Sequence, residues 1–281
     1  MPTHPEAHRL RRLLRAHAIT PTRSQGQNFL VDPEVPRQIV ALSGVGAQDR
    51  VVEIGPGLGS LTRPLLAQTG RLCCIEYDRR LIPLLRCEVA GLGDLEVIEG
   101  DAMQQDYQAL AARLGGPLTL VANLPYQISS PLLLRILEQR AAFASLTLMF
   151  QREVAERLVA APGGKDYGTL SVYCQMWSEI ALVLEVPATA FHPVPKVDSA
   201  VVRMVLRTEP AWPLADPQAL APVVRAAFGQ RRKTLANALK GVTADAAAWL
   251  ARAGIDGQRR GETLSLEEFA RLANTRPTHL K

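Results

Sequence analysis

The stretch "VVEIGPGLGSLT" (residues 51–62) joins an apolar run to a glycine-rich turn and then to a segment with helical spacing. Gly55, Gly57 and Gly59 directly follow the strand-like run. Residues without a Cβ let the backbone bend sharply and let a ligand come close. Ser60 stands where the dinucleotide fingerprint G-x-G-x-x-G has its last glycine, which disfavours a nicotinamide dinucleotide. An ordinary βα loop can carry the same glycines, so this turn does not identify a cofactor by itself.

Short β-type runs alternate with helical segments from residue 51 onward, which predicts an α/β fold with a doubly wound, mainly parallel sheet. The proline-rich stretch "TEPAWPLADP" (208–217) ends this alternation, and only helical patterns follow it. We therefore expect a basic N-terminal extension at 1–17, a main domain at 18–208 and a helical domain at 209–281. The predicted strands are 51–54, 71–76, 95–100, 118–123, 146–151, 180–187 and 199–207.

Composition and charge restrict the class of protein. The chain has 281 residues, 47% hydrophobic and 21% charged, as is typical of globular proteins rather than disordered ones. The net charge of +5 is unevenly distributed: +3 in residues 1–50, −2 in 51–208 and +4 in 209–281. This distribution suits a polyanionic partner, although ordinary solvated helices would also produce it.

The chain shows no pattern of a secreted, membrane or metal-binding protein. The N-terminus has no apolar stretch typical of a signal peptide, and the longest apolar runs are far shorter than a membrane span. Cys73, Cys74, Cys87 and Cys174 lack the spacing of metal ligands or of disulfide frameworks. We expect reduced core thiols, a cytoplasmic location, no membrane and no metal.

Two acidic residues lie at predicted strand ends. Glu76 ends the second strand, where a carboxylate can accept hydrogen bonds from ribose hydroxyls. Asp101 follows the third strand, where it can accept from an adenine amino group. Either carboxylate alone could be a solvated strand end, but three consecutive strands ending in glycine or acid favour a nucleoside-type cofactor.

The stretch "LVANLPYQISSP" (120–131) ends the fourth strand at the same predicted edge. Its last residues, Ser130 and Pro131, fit the N-cap and N1 positions of a helix. The Asn123 side-chain oxygen and the carbonyl of Leu124 or Pro125 could hold the two hydrogens of an exocyclic base amine. This would favour the tetrahedral nitrogen of a transition state. The aromatic ring of Tyr126 would stack on the flat base.

The stretch "EIGPGLG" (53–59) resembles the S-adenosylmethionine glycine motif of methyltransferases that modify exocyclic amines. With it, five motifs in one order resemble the ribosomal RNA adenine dimethyltransferases, most closely the small-subunit (16S) enzymes. The resemblance covers roughly residues 18–275 and implies a Rossmann-like S-adenosylmethionine-dependent methyltransferase fold with a seven-stranded sheet and a small all-helical C-terminal domain. The five motifs are "GQNFLVD" (26–32), "NLPYQISSP" (123–131), "QREVAERL" (151–158), "FHPVPKVDSAVV" (191–202) and "FGQRRKTLANAL" (228–239).

The resemblance also implies site residues. The expected contacts to S-adenosyl-L-methionine are Asn28, Leu30, Gly55, Gly57, Glu76, Asp101 and Asn123. The target adenine would be received by Asn123, Leu124, Pro125 and Tyr126, with Phe191 stacking on its other face. From its position alone, Phe191 could equally be a core aromatic at a loop corner.

The expected reaction is dimethylation of N6 of two adjacent adenosines in the 3′-terminal hairpin loop of 16S rRNA, within an immature 30S subunit. The protein would act as a monomer. The basic residues expected to contact RNA phosphates are Arg225, Arg231, Arg232, Lys233 and Lys240; they could also form an ordinary charged helix face. The N-terminal "RLRRLLR" (9–15) fits either a second phosphate contact or a fraying helix.

Three alternatives stay open from the sequence. The first is a large-subunit (23S) rRNA methyltransferase of the macrolide-resistance type, which shares "NLPY"-like motifs. The second is a non-catalytic ribosome-assembly protein that binds RNA, disfavoured because the glycine turn and "NLPY" are both intact. The third is a nicotinamide-dependent oxidoreductase, disfavoured by Ser60.

Overall fold

The computed structural model describes residues 5–19 and 28–277, and these form two compact units. The first unit contains Met1–Ala155 and Ala181–Leu206, and the second contains Glu156–Ile180 and Arg207–Lys281. The segment Glu156–Ile180 therefore groups with the C-terminal helices, whereas the sequence alone placed it inside the main domain. The boundaries 1–17, 18–208 and 209–281 stay a prediction.

The strands are β1 (Phe29–Leu30), β2 (Arg50–Ile54), β3 (Arg71–Glu76), β4 (Asp94–Glu99), β5 (Leu118–Asn123), β6 (Phe143–Gln151), β7 (Ser178–Val186), β8 (Phe191–His192) and β9 (Ser199–Leu206). A seven-stranded sheet with the order β4-β3-β2-β5-β6-β9-β7 is the centre of the first unit. The ladders among β2 to β6 are parallel, and β9 runs antiparallel to β6. The mainly parallel seven-stranded sheet expected from the sequence is confirmed.

Continuous apolar runs form the middle strands because helices cover both faces of a parallel sheet. In β2 and β5 nearly every residue is buried. The helices that follow α1 (Pro5–Ala16) are α2 (Glu34–Ser43), α3 (Thr62–Thr69), α4 (Ile82–Glu88), α5 (Tyr107–Leu114), α6 (Ser129–Glu138) and α7 (Arg152–Val159). Glycines in the left-handed conformation end α2, α3 and α5, as is common at helix C-termini.

The basic N-terminal extension forms the amphipathic helix α1. Its residues Ala7, Leu10 and Leu14 are buried in one cluster with Leu58, which lies within the glycine turn, and Leu81, the N-cap of α4. Burial of this stripe holds α1 on the sheet domain, so the extension is a packed helix rather than a fraying one.

The second unit is helical and has its own aromatic core. Phe228 stacks on Phe269 with ring centroids 5.7 Å apart, and the buried Trp249 Nε1–H donates to the Leu272 carbonyl at 2.9 Å. Tyr167 packs edge-on against Phe228, which explains why the Glu156–Ile180 segment belongs here. The helices are α8 (Thr169–Trp177), α9 (Leu220–Phe228), α10 (Leu235–Leu239), α11 (Ala246–Ala253) and α12 (Leu266–Asn274).

Two expectations about the chain as a whole can be compared with the structure. Among the described residues, none of the helices combines the length and the apolarity that crossing a bilayer requires. Cys73, Cys74 and Cys174 are buried free thiols, but Cys87 is exposed on α4, so the expectation of a core position was wrong for Cys87.

Candidate active site

A cavity of about 350 Å³ opens at the carboxyl ends of β2, β3 and β5. Ligands of doubly wound sheets bind at this edge, where the strand order reverses. The volume lies within the range typical of sites for small ligands. The cavity is lined by ten of the eleven cofactor and adenine residues expected from the sequence: Asn28, Leu30, Gly55, Gly57, Glu76, Asp101, Asn123, Leu124, Pro125 and Tyr126.

The glycine turn forms one wall with left-handed backbone. Gly55 has φ +66° and Gly57 has φ +57°, and side chains with a Cβ rarely adopt such angles. A Cβ on Gly57 would lie 3.2 Å from a ring carbon of Phe29, so no side chain fits there without displacing that ring. The turn therefore keeps the backbone open to a ligand at the cavity.

Glu76 is a buried carboxylate anchored by the backbone. Its Oε2 accepts from the Gly57 N–H at 3.2 Å, and its Oε1 accepts from the Asp78 N–H at 2.7 Å. Burial raises the pKa of Glu76, and these backbone donors act in the opposite direction. Since each carboxylate oxygen can accept more than one bond, both oxygens keep capacity for the hydroxyls of a ribose.

Asp101 follows β4 and is held in the same manner by its own loop. The Met103 N–H donates to Oδ1 at 2.8 Å, and the Gln104 amide donates to Oδ2 at 3.3 Å. The half-buried carboxylate is thus oriented at the cavity, where it can accept from a ligand amine.

Glu53 is an ionisable residue of this cavity that the sequence analysis missed. It lies on β2, is 1% exposed, and its Oε2 accepts from the Thr62 hydroxyl at 2.7 Å. Burial raises the pKa of Glu53 to about 8, so the carboxyl is mostly protonated at neutral pH. The group therefore adds a polar but largely uncharged wall beside the glycine turn.

Asn123 ends β5 and reaches across to the segment that precedes the sheet. Its side-chain N–H donates to the Asn28 carbonyl at 3.4 Å, which leaves Oδ1 as the atom able to accept a hydrogen bond from a ligand. The Pro125 carbonyl already accepts from the Ile128 N–H at 3.1 Å. Of the two backbone acceptors considered from the sequence, the Leu124 carbonyl is therefore the better partner for a second amine hydrogen.

Tyr126 is held at both ends. Its backbone carbonyl accepts from the Ser129 hydroxyl at 3.1 Å, and its phenolic oxygen lies 2.6 Å from Ser199 Oγ. Ile128 is the N-cap of α6 and the helix begins at Ser129, so the expected N-cap at Ser130 and N1 at Pro131 were wrong by two residues. These contacts fix the half-buried ring at the cavity edge.

Phe191 is the one expected adenine residue that lies outside the cavity lining. It is 1% exposed and belongs to the sheet core. Phe191 lies on β8, directly opposite Leu30 of β1 in a short antiparallel ladder. The ring therefore helps to hold residues 28–30 at the cavity, and its expected stacking on the adenine stays a prediction.

Several cavity residues carried no strong signal in the sequence. Phe29, Ile54 and Met103 line the cavity together with Tyr77 and Asp78. Tyr77 is 69% exposed, although it follows a buried strand. An exposed aromatic residue directly after the acid at a strand end is a usable signal for stacking on a flat ligand.

The five basic residues expected to contact RNA lie in the second unit, and all are exposed. Arg231 differs from the others because its guanidinium donates to the Lys165 carbonyl at 2.7 Å and to the Tyr167 carbonyl at 3.3 Å. It also pairs with Glu262 at 3.7 Å. Arg225, Arg232, Lys233 and Lys240 form no ion pair with any residue in the described part of the chain.

Comparison with known proteins agrees with this geometry. A model of the ribosomal RNA adenine dimethylase family matches residues 20–276. The chain belongs to this family. It is 54% identical over 267 residues to the ribosomal RNA small subunit methyltransferase A of Magnetococcus marinus, covering 95% of this chain and 96% of the relative. The protein of the same name from Pelotomaculum thermopropionicum is 47% identical over 279 residues, covering 95% of each chain.

Solved structures of two family relatives share the fold. A dimethyladenosine transferase from Plasmodium falciparum is 27% identical with a TM-score of 0.71, covering 87% of this chain and 95% of that chain. The 23S rRNA methyltransferase ErmE is 28% identical with a TM-score of 0.67, covering 88% and 99%. The resemblance drawn from the motifs and the Rossmann-like methyltransferase fold are confirmed. The large-subunit alternative is not favoured, because the more similar relatives are small-subunit enzymes.

Proposed function

We propose that this dimethylase uses S-adenosyl-L-methionine to methylate N6 of two adjacent adenosines twice each, in the 3′-terminal hairpin loop of 16S rRNA. The substrate is the RNA within an immature 30S subunit, and the protein acts as a cytoplasmic monomer. The observation that carries the proposal is the Asn123–Asn28 hydrogen bond. It brings the predicted amine acceptor to the same cavity as the glycine turn and the acidic strand ends.

The cavity suits the cofactor by shape and by donor chemistry. Gly55 and Gly57 hold left-handed backbone angles that residues with a Cβ rarely adopt, and Glu76 and Asp101 offer carboxylate oxygens for ribose and adenine. Tyr77 offers an exposed ring beside Glu76. When bound, S-adenosylmethionine supplies a methyl group on a sulfonium, which is a good leaving group.

The protein contributes position and hydrogen-bond acceptors rather than a strong base. Asn123 Oδ1 and the Leu124 carbonyl accept the two hydrogens of the adenine amine, which favours tetrahedral geometry at nitrogen and frees its lone pair. Pro125 stiffens this loop because its φ is fixed. Alignment of reacting atoms by such a rigid site can supply much of the rate enhancement.

The target base must leave its stack to reach this loop. Extrusion costs a few kcal/mol, and stacking on Tyr126 returns roughly 1–3 kcal/mol. After the first transfer the amine keeps one hydrogen, so one acceptor suffices in the second. The neutral Asn123 and Leu124 acceptors accommodate both states of the amine.

The second unit supplies the grip on the RNA backbone. Exposed Arg225, Arg232, Lys233 and Lys240 provide phosphate contacts. Arg231 contributes by holding the loop at Lys165–Tyr167, and its remaining donors can still face phosphate.

The test uses purified protein, labelled methyl donor and immature small ribosomal subunits. The wild type should produce N6,N6-dimethyladenosine in the 16S rRNA. Asn123→Ala should abolish methyl transfer. It should leave RNA binding largely unchanged, because Asn123 belongs to the first unit and the basic residues belong to the second. RNA that stays unmodified after incubation with the wild type would reject the proposal.

A further inference from the structure

The motif that contains Phe191, residues 191–202, also contains Ser199, a residue to which the reaction as described gives no role. Ser199 begins β9, is fully buried, and its Oγ lies 2.6 Å from the phenolic oxygen of Tyr126. A bond of this length between two hydroxyls is a good hydrogen bond. It joins the cavity loop to a strand more than 70 residues later in the chain.

Ser199 is itself held rigidly. It pairs with Gln151 at the end of β6, and the preceding Asp198 is fixed on two sides. The Asp198 carbonyl accepts from the Arg152 N–H at 2.9 Å, and its carboxylate accepts from the Ala188 N–H at 2.8 Å. The Ser199 hydroxyl is thus a fixed point of the sheet rather than a mobile surface group.

Tyr126 depends on this fixed point for its orientation. Its backbone end is tied to Ser129 within the same loop and helix start, so that contact moves with the loop. The hydroxyl at the far end of the ring is hydrogen-bonded to the Ser199 hydroxyl. Loss of that bond would leave the ring free to swing about χ1 and χ2.

We infer that Ser199 is a positioning residue for methyl transfer: its hydroxyl fixes the Tyr126 ring so that the ring forms a flat wall for the adenine. This assignment rests on the proposed function. Ser199 touches neither substrate nor cofactor, and it acts only through Tyr126.

The second methyl transfer should depend on this wall more than the first. In the first transfer two acceptors hold the amine, but in the second the nitrogen keeps one hydrogen and carries a methyl group. The stacked ring must then supply more of the alignment, since a hydrogen-bond anchor has been lost. A loosened Tyr126 should therefore cause monomethylated adenosine to accumulate relative to the dimethylated product.

The experiment measures the ratio of N6-monomethyl to N6,N6-dimethyl adenosine after a fixed number of turnovers on immature small subunits. This ratio does not depend on the fraction of active enzyme, so a variant that merely folds less well leaves it unchanged. The variants are Ser199→Ala, Tyr126→Phe and the double variant. Ser43→Ala is the matched control, because Ser43 is another buried serine of the first unit, and its hydroxyl donates to the Val40 carbonyl at 2.6 Å, away from the cavity lining.

We expect Ser199→Ala and Tyr126→Phe each to raise the product ratio and to slow the second transfer by about three- to tenfold, the range for loss of one hydrogen bond. The double variant should show the same product ratio and the same rate of second transfer as either single variant, since all three lack the same hydrogen bond. Cofactor affinity and the Ser43→Ala ratio should match the wild type.

An unchanged ratio in Tyr126→Phe, or effects that multiply in the double variant, would overturn the assignment. Tyr126→Phe alone decides the question if Ser199→Ala does not fold, because it removes only a hydroxyl. A wild type that makes no methylated adenosine would overturn the proposed function and this assignment together. Normal wild-type methylation with unaltered variants would overturn the assignment alone.

Discussion

The buried carboxyl of Glu53 should make the sheet domain less stable as pH rises. Its pKa is about 8 in the folded protein, against an ordinary value of 4.5. Between these values the folded state holds a proton that the unfolded state has released. The free energy of unfolding must therefore fall with pH across this window, and the stability is fully present only below pH 4.5.

The size of the effect follows from the shift. Each unit of pKa corresponds to about 1.4 kcal/mol, so the full window amounts to roughly 5 kcal/mol. Glu53→Gln removes the ionisation and keeps an oxygen for the Thr62 hydroxyl, which donates to Oε2 at 2.7 Å. The unfolding free energy of the variant, relative to that of the wild type, should rise by about 1.4 kcal/mol per pH unit from pH 5 to 8.

The assay must report on the sheet rather than on the helical unit. The three tryptophans, Trp177, Trp212 and Trp249, all lie in the second unit, so their fluorescence is the wrong probe. Hydrogen exchange of peptides from Arg50–Ile54 and Arg71–Glu76 reports directly on opening of β2 and β3. Comparing wild type and variant at the same pH cancels the intrinsic pH dependence of exchange.

The control is Glu99→Gln, which removes an exposed carboxylate from β4 of the same sheet. It should leave the difference from wild type constant across the pH range, because its solvation changes little on folding. The reasoning would be refuted if the difference in unfolding free energy between Glu53→Gln and the wild type changed by less than about 0.5 kcal/mol from pH 5 to 8. A carboxyl whose pKa is raised on folding must make the wild-type stability depend on pH in this range.

Three further predictions concern other residues. Gly57→Ala should weaken cofactor binding about tenfold in calorimetry and destabilise the fold by about 1–2 kcal/mol. The φ of Gly57 is left-handed, and the new Cβ would press on Phe29. Wild-type cofactor affinity in this variant would contradict the prediction. Phe191→Leu should keep the rate of methyl transfer within about threefold of the wild type, as expected of a core residue. A loss near a hundredfold would instead support the stacking of Phe191 on the adenine. Arg231→Ala should lower the unfolding free energy of the second unit by about 1–3 kcal/mol. Arg232→Ala should leave that stability unchanged. It should reduce the slope of log K for RNA binding against log salt concentration by about one released ion. Equal effects of both arginine changes on stability would contradict this division.

The seven main strands could be predicted because each is a short run rich in apolar residues, bounded by turns or helical spacing. The run 118–123 coincides with β5, and 71–76 coincides with β3. The two-residue strands β1 and β8 gave no such pattern, since their pairing depends on contacts more than 150 residues apart in the chain. Local periodicity cannot report such a ladder.

The same distinction applies to the site. Gly55, Glu76 and Asp101 could be found because each follows a strand, and strand ends of a parallel sheet meet at one edge. Asn28 and Leu30 required the family resemblance, because they precede the sheet. The burial of Phe191 could not be predicted, because its motif predicts proximity to the site and proximity does not determine which way a ring faces.

The short β1–β8 ladder connects the buried Phe191 to the cavity. Leu30 lies opposite Phe191 in that ladder, and Asn28, two residues before Leu30, offers its carbonyl to the Asn123 side chain at 3.4 Å. The buried ring therefore helps to determine which way the Asn123 amide faces at the cavity. In the proposed mechanism Asn28 contacts the cofactor and Asn123 holds the adenine amine, and these two residues share one hydrogen bond. Under that proposal the fold couples the seating of the methyl donor to the orientation of the group that holds the acceptor nitrogen.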